Sequence, residues 1–330
     1  MVFVELFHCT LVYHEEGKGN ACIILPVIHY YRSTPYAPTI VTDTAHQHGD
    51  WLRVERPDDE EISQLISLGV DADILTDTLD PHEVPRIEQE DDWTYFITRV
   101  PDVGDNFNDF TTPLLFAIGR KYICTVSRDP LGRMWQPFVD KTRVATSDRE
   151  DLFFTMMDAV TLAYEKRVAL INRQMRAVTS DVRMLRPGDI ATLVEYERKL
   201  NDYLDALLPT NTALEKIRAG KYLHLAEDDR DLVENLSVDM EQVISRCKSL
   251  LRTITNVRDS YRAVMDTKLN ETMRILTVAT LAITIPTMLA GLYGMNVPLP
   301  GSDSPFAFIT IVLFSAVAAF FLAFYFMRRR

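Results

Sequence analysis

Ile275-Leu-Thr-Val-Ala-Thr-Leu-Ala-Ile-Thr-Ile-Pro-Thr-Met-Leu-Ala-Gly-Leu-Tyr293 runs for 19 residues without a charge, close to the roughly 20 apolar residues that cross the hydrocarbon core of a bilayer. A second uncharged run, Ser304 to Met327, has 24. Between Arg274 and Arg328 only Asp303 is charged. A buried helix of a soluble domain rarely lacks charge for so long twice in succession, so the C-terminal fifth reads as two membrane spans. Arg258, Arg262, Lys268 and Arg274 precede the first span and Arg328-Arg329-Arg330 follow the second, whereas Gly294 to Pro305 contains no Lys or Arg. The positive-inside rule then puts both termini in the cytoplasm and the short loop outside. A loop of 12 residues is too small to form a catalytic site, which excludes an enzyme acting on an extracellular substrate.

Working back from the first span, no Pro or Gly interrupts the chain between the acidic Glu227-Asp228-Asp229-Arg230-Asp231 and Pro286. Met240, Val243, Cys247, Leu250, Ile254, Val257, Tyr261 and Val264 recur at intervals of 3, 4, 3, 4, 3, 4 and 3, a heptad seam. Extended to Tyr293, this pattern predicts a helix about 95 Å long, much of it outside the bilayer. Before it, Asp148 to about Leu185 and Asp189 to about Ala219 read as two long helices joined at Pro187-Gly188, an antiparallel hairpin. Leu193, Tyr196, Leu200, Tyr203, Leu204 and Leu207 give the second its apolar stripe. Upstream, Phe3–Tyr13, Ala21–Tyr31, Trp51–Glu55, Trp93–Val100, Leu114–Ile118 and Tyr122–Ser127 are strand-like, rich in β-branched or aromatic residues. Asp58-Asp59-Glu60-Glu61 opens an amphipathic helix to about Leu68, with acids in its first turn.

The predicted fold is therefore an α/β cytoplasmic domain plus a long helical stalk and two C-terminal transmembrane helices. Its expected parts are the α/β domain at 1–147, a cytoplasmic helical hairpin at 148–229, a stalk helix continuing into the first span at 230–293, an outer loop at 294–305, the second span at 306–327 and a basic tail at 328–330.

A net charge of -12 argues against nucleic-acid binding, which needs clustered Lys and Arg to replace counterions. It suits a protein that handles cations, although most acidic proteins are merely solvated. Cys9, Cys22, Cys124 and Cys247 show no CxxC or other metal-ligand spacing and are expected to be reduced and buried. The start, Met-Val-Phe-Val-Glu-Leu-Phe-His, lacks a basic region followed by an apolar core, so no cleaved signal peptide is expected. The chain has no nucleophile elbow, HExxH or GxxxxGK[ST] phosphate loop, and hence no sign of an enzyme or of a bound nucleotide. His46-Gln47-His48 falls in a predicted loop and reads as surface histidines rather than a metal handle.

Within the first span the polar and small residues are not scattered. Asn270, Thr277, Thr280, Thr284, Thr287, Gly291 and Gly294 follow at intervals of 7, 3, 4, 3, 4 and 3. Such a stripe faces either a neighbouring helix or water, since lipid offers hydroxyls nothing. Packing stays open, because Thr can bond its own i-4 carbonyl. Phe306 to Met327, nearly all apolar and aromatic, reads as lipid-facing, which favours water for the stripe. Two spans in one chain leave no room for a pore, so a pore implies a symmetric ring of first-span helices.

Tyr293-Gly294-Met295-Asn296, at the outer end of the first span and before a short loop and a final span, resembles the CorA family of magnesium and divalent-cation transporters. The similarity runs back through Leu269-Asn270-Glu271-Thr272-Met273-Arg274-Ile275-Leu276-Thr277. It is weaker at Asp73-Ile74-Leu75-Thr76-Asp77 and Pro85-Arg86-Ile87-Glu88, and absent over the first 45 or so residues. The resemblance implies a funnel-shaped homopentamer in the cell membrane, passive and driven by the ion's gradient. It implies no resident cofactor, with Mg2+ as both transported and regulatory ion. Gly294, Met295 and Asn296 would form the selectivity filter. Their acceptors would meet the waters of the hydrated ion, which Mg2+ releases reluctantly. Thr287, Thr284, Thr280, Thr277 and Gly291 would line the pore below, and Asn270 would form a polar ring near the exit. Met273 and Leu276 match an apolar constriction, and Asp259 an acidic position at the inner mouth. Asp77 matches a regulatory metal ligand between subunits, but Thr76 stands where the family often has Glu. The outer loop also lacks a Glu-containing stretch common in the family. Zn2+, Co2+ or Ni2+ as the cargo, and a non-conducting membrane-anchored regulator, remain alternatives.

Overall fold

Alternation along the strands of the N-terminal half sets up a sheet covered on both faces. The computed structural model describes residues 5–6, 9–10, 28–32, 50–101, 111–140, 146, 148–223, 225, 227–295 and 306–328. Contacts divide the chain into two units, 1–180 with 186–254, and 181–185 with 255–330.

In the first unit a short hairpin of β1 (Glu5–Leu6) and β2 (Cys9–Thr10) precedes β3 (Ile28–Tyr31), β4 (Asp50–Glu55), β5 (Arg86–Glu90), β6 (Trp93–Pro101), β7 (Thr111–Ile118) and β8 (Tyr122–Ser127). The six later strands form one sheet in the order β3-β4-β8-β7-β6-β5. Only β4 and β8 run parallel; every other neighbouring pair is antiparallel. Residues of one parity, including Leu52, Val54, Tyr95, Ile97, Leu115, Ala117, Cys124 and Val126, form a core with α1 (Asp59–Ser67) and α2 (Ala72–Leu79). Those of the other parity meet α3 (Gly132–Asp140), α4 (Arg149–Val178) and α5 (Pro187–Arg218). There Trp51 lies edge-on to Trp135 at 5.7 Å, and Phe96 and Phe116 each lie 5.1 Å from Phe153. Thr98 and Thr210 join β6 to α5 by a buried hydroxyl pair at 2.9 Å.

Local chemistry explains most boundaries. Asp58 caps α1 by accepting from the amides of Glu60 and Glu61, while the Glu61 carboxylate accepts from Asp58 N at 2.9 Å, a reciprocal capping box. Between β7 and β8, a Cβ on Gly119 would stand 2.9 Å from the Trp93 ring, so only glycine lets that indole close the sheet end.

Three elements exceed the sequence expectation: β5, α2 and α3. β5 is an edge strand in which only Ile87 is buried, leaving little alternation to read. Conversely, α4 stops at Val178 rather than near Leu185. Asp181 accepts from Arg183 N at 2.9 Å, and this local side-chain bond starts a separate turn at Val182–Met184. Pro187 begins α5 two residues ahead of the expected Asp189, as its missing N–H allows at a first helical position. Most of the expected strands Phe3–Tyr13 and Ala21–Tyr31 lies outside the described residues, as do His46 and His48.

α6 (Glu227–Tyr293) is a single helix of 67 residues, about 100 Å long. Its residues up to 254 belong to the first unit, where Met240, Val243, Cys247, Leu250 and Ile254 of the heptad seam are buried. Ser237 Oγ lies 2.6 Å from Glu215 Oε1 on α5, and Arg246 pairs with Glu165 on α4 at 2.5 Å. Cys124 and Cys247 are free and buried. Burial raises the thiol pKa values of both, which keeps them inert as nucleophiles. In the second unit α6 continues from 255 to Tyr293, and α7 (Ala307–Arg328) follows.

Candidate functional site

α6 and α7 both carry stretches long and apolar enough to cross a membrane. Each is nevertheless two-sided within the chain. Among the described residues of the apolar stretch of α6 the shielded positions are Val278, Ala282, Ile285, Pro286 and Leu289; along α7 they are Ile311, Ser315, Ala318, Ala319, Leu322 and Ala323. Repeats at three and four, with one adjacent residue on a flank, keep each set to one side of its helix. Thr277, Thr280, Thr284, Thr287 and Gly291 are all exposed. At about 100° per residue the threonines lie on the side of α6 opposite Val278, Ala282, Ile285 and Leu289. The stripe is therefore not used for packing inside the chain, which leaves it to face water or a helix of another copy.

Hydroxyl geometry adds a second fact. Thr277, Thr280, Thr284 and Thr287 donate to the carbonyls of Met273, Leu276, Thr280 and Ile283, each at 2.8 Å. A threonine hydroxyl has one donor and two acceptor lone pairs. With the donor committed to the backbone, each Oγ1 turns acceptor character away from its helix. The exposed face thus suits groups that donate, such as the waters around a cation.

Asn270, Met273 and Leu276 are exposed on the same side of α6. Asp259, 18 residues before Thr277, stands in line with it after five turns. Its carboxylate is 3.6 Å from Arg262, with both side chains more than half exposed, so this pair contributes little to stability. At the other end Gly294 N donates to Ala290 O at 3.0 Å and Met295 N to Leu292 O at 3.3 Å. A Cβ on Gly294 would sit 3.1 Å from the Ala290 carbonyl oxygen, whereas one on Gly291 would meet nothing. Asn296 lies outside the described residues.

Asp77 is far from this helix in sequence and differently placed. On α2, its Oδ2 pairs with Arg86 Nη2 at 2.7 Å, and the same guanidinium holds Glu83 and, through Nε at 2.5 Å, Glu88. Sequence reasoning missed Arg86 as a partner. The shielded face of α6 was missed too, because an almost wholly apolar stretch carries no sign of which side is covered.

An α/β unit, a helical hairpin and one long helix with a polar outward stripe, with two stretches long and apolar enough to cross a membrane, are the build of a two-span membrane protein. The sequence matches the CorA-like Mg2+ transporter protein family over residues 46–329, and the chain belongs to that family. Among its relatives, the cobalt/magnesium transport protein CorA of Methanocaldococcus jannaschii is 23% identical over 286 residues, covering 84% of this chain and 90% of the relative. The protein of the same name from Thermotoga maritima is 19% identical over 296 residues, covering 85% and 82%. The complete structure of the M. jannaschii CorA magnesium transporter superposes with a TM-score of 0.81 at 21% identity, covering 93% of this chain and 99% of that one. The predicted fold class, from α/β domain through long helix to two apolar helices, is the observed one. Family membership begins at residue 46, consistent with the absence of resemblance before it.

Proposed function

We propose that this protein is a passive, gradient-driven channel for divalent cations, with Mg2+ as the first candidate, formed by a homopentameric ring of α6 helices in the cell membrane. The observation that carries this reading is the threonine stripe: it is outward-facing, opposite the shielded face, and has its hydroxyl donors committed to the backbone. In a ring these oxygens surround an axial path. They accept from the hydration shell of an ion that parts with its water reluctantly. Above them, Gly294, Met295 and Asn296 form the outer filter, where neutral acceptors admit a hydrated dication and still release it. Below, Met273 and Leu276 close the path by dewetting, Asn270 rings the exit and Asp259 gathers cations at the inner mouth. Both termini and the α/β unit face the cytoplasm, which the Lys and Arg distribution supports. The chain is not an enzyme on this reading and engages neither nucleotide nor nucleic acid. Feedback comes from intracellular divalent cation bound between subunits.

Membership in a family of Mg2+ transporters supports the choice of cargo, as do relatives named for cobalt and magnesium transport. Uptake into proteoliposomes decides between readings. Mg2+ should enter down its gradient without nucleotide, and Asn296→Ala should abolish entry while leaving the oligomer intact in detergent. A monomeric protein, or uptake unchanged in Asn296→Ala, would sink the pore. Entry of Zn2+ in preference to Mg2+ would change the cargo and leave the pore standing.

A further inference from the structure

Feedback by a divalent cation requires carboxylates free to hold it, and Asp77 is the position that family resemblance nominates. The local chemistry does not fit such an ion. Asp77 Oδ2 is paired with Arg86 Nη2 at 2.7 Å; Arg86 Nε is 2.5 Å from Glu88 Oε1 and its Nη1 contacts Glu83. One planar guanidinium thus uses all three of its nitrogens on carboxylates from α2, the segment before β5, and β5 itself. Its fixed fork satisfies such partners with direction as well as charge. The neighbouring Thr76 brings no carboxylate, and its hydroxyl is turned onto Ala72 O at 2.9 Å.

We infer that Arg86 is a tethered cation filling the place a regulatory metal would take at Asp77, so that in this protein Asp77 is not a metal ligand. The inference rests on the proposed feedback only for the site it removes from it. An arginine cannot leave with falling ion concentration, so the α2–β5 corner keeps one charge state whatever the cytoplasmic Mg2+. Any feedback ion must then use other carboxylates. Removing the guanidinium leaves three negative groups without their partner, two of them on the flexible side chains of glutamate. A divalent cation is the natural replacement, since oxygen ligands suit it.

Mn2+ binding to the full-length protein in detergent, read by electron paramagnetic resonance, tests this without reference to flux. The wild type and Asp77→Asn should bind the same number of Mn2+ per chain. Arg86→Gln should gain one, Arg86→Lys should gain none, and the double variant Arg86→Gln/Asp77→Asn should lose the gain. Protection from protease by Mg2+ should likewise be equal in wild type and Asp77→Asn. Loss of a Mn2+ site or of Mg2+ protection in Asp77→Asn alone would overturn the inference. So would a folded, correctly sized Arg86→Gln protein that gains no site. Failure of the channel reading appears instead in uptake by the wild type, which none of these measurements uses.

Discussion

His29 on β3 illustrates how one side chain sets a pH response away from the membrane. Its pKa is lowered from 6.5, first by burial and then by the positive charge of Arg53. The unfolded chain therefore takes up a proton at a pH where the folded chain does not. Its contribution to stability is full above pH 6.5 and is lost as pH falls through the lowered folded value. Glu55, raised from 4.5 mainly by burial, acts in the other direction: its contribution is full below 4.5 and is lost as pH rises through the raised value. The melting temperature should accordingly fall as pH drops from about 6.5, and His29→Gln should flatten that fall. Tryptophan fluorescence suits the measurement, because Trp51 lies 4.8 Å from Tyr31 on the same strand as His29. An equal acid-side fall in wild type and variant would contradict the assignment. Residues of this kind were not legible in the sequence, because burial and the Arg53 charge arise only when β3 and β4 pair.

At the scale of elements, α6 makes the sharpest demand on its threonines. Thr284→Val keeps the shape of the side chain and removes an acceptor from every copy in a ring. Uptake should fall at least about 2- to 10-fold, the factor that even one net hydrogen bond of roughly 0.5–1.5 kcal/mol represents. Thr284→Ser, which keeps the oxygen, should stay near wild type. Equal rates for both would assign the stripe to helix packing between copies instead. The spans, the seam and this stripe were readable because each depends on residues three, four or seven apart on one element, or on local charge. β5 and the clasp of Arg86 on Asp77 were not. The first is a short polar edge with one buried residue, and the second joins residues nine apart across a turn whose course no periodicity records. Met273, Leu276 and Asp259 were placed by resemblance, and the helix then set them on the threonine side with Asn270.

For the whole molecule the distribution of charge matters more than its sum. The net charge is -12, yet between Arg274 and Arg328 only Asp303 is charged, so nearly all of the field belongs to the part of the chain before the first span. Raising monovalent salt from about 20 to about 200 mM shortens the screening length roughly threefold. In oriented proteoliposomes this should slow Mg2+ flux entering from the cytoplasmic face and leave flux entering from the outer face nearly unchanged. Equal slowing from both faces would count against the assigned orientation. The back-bonded threonines carry a consequence for assemblies of unlike chains. Because Thr277, Thr280, Thr284 and Thr287 are each oriented by a carbonyl of their own helix, no copy relies on a neighbour to aim its oxygens. Defective chains mixed into a ring would then dilute the wall one sector at a time, making a dominant-negative threonine variant hard to obtain.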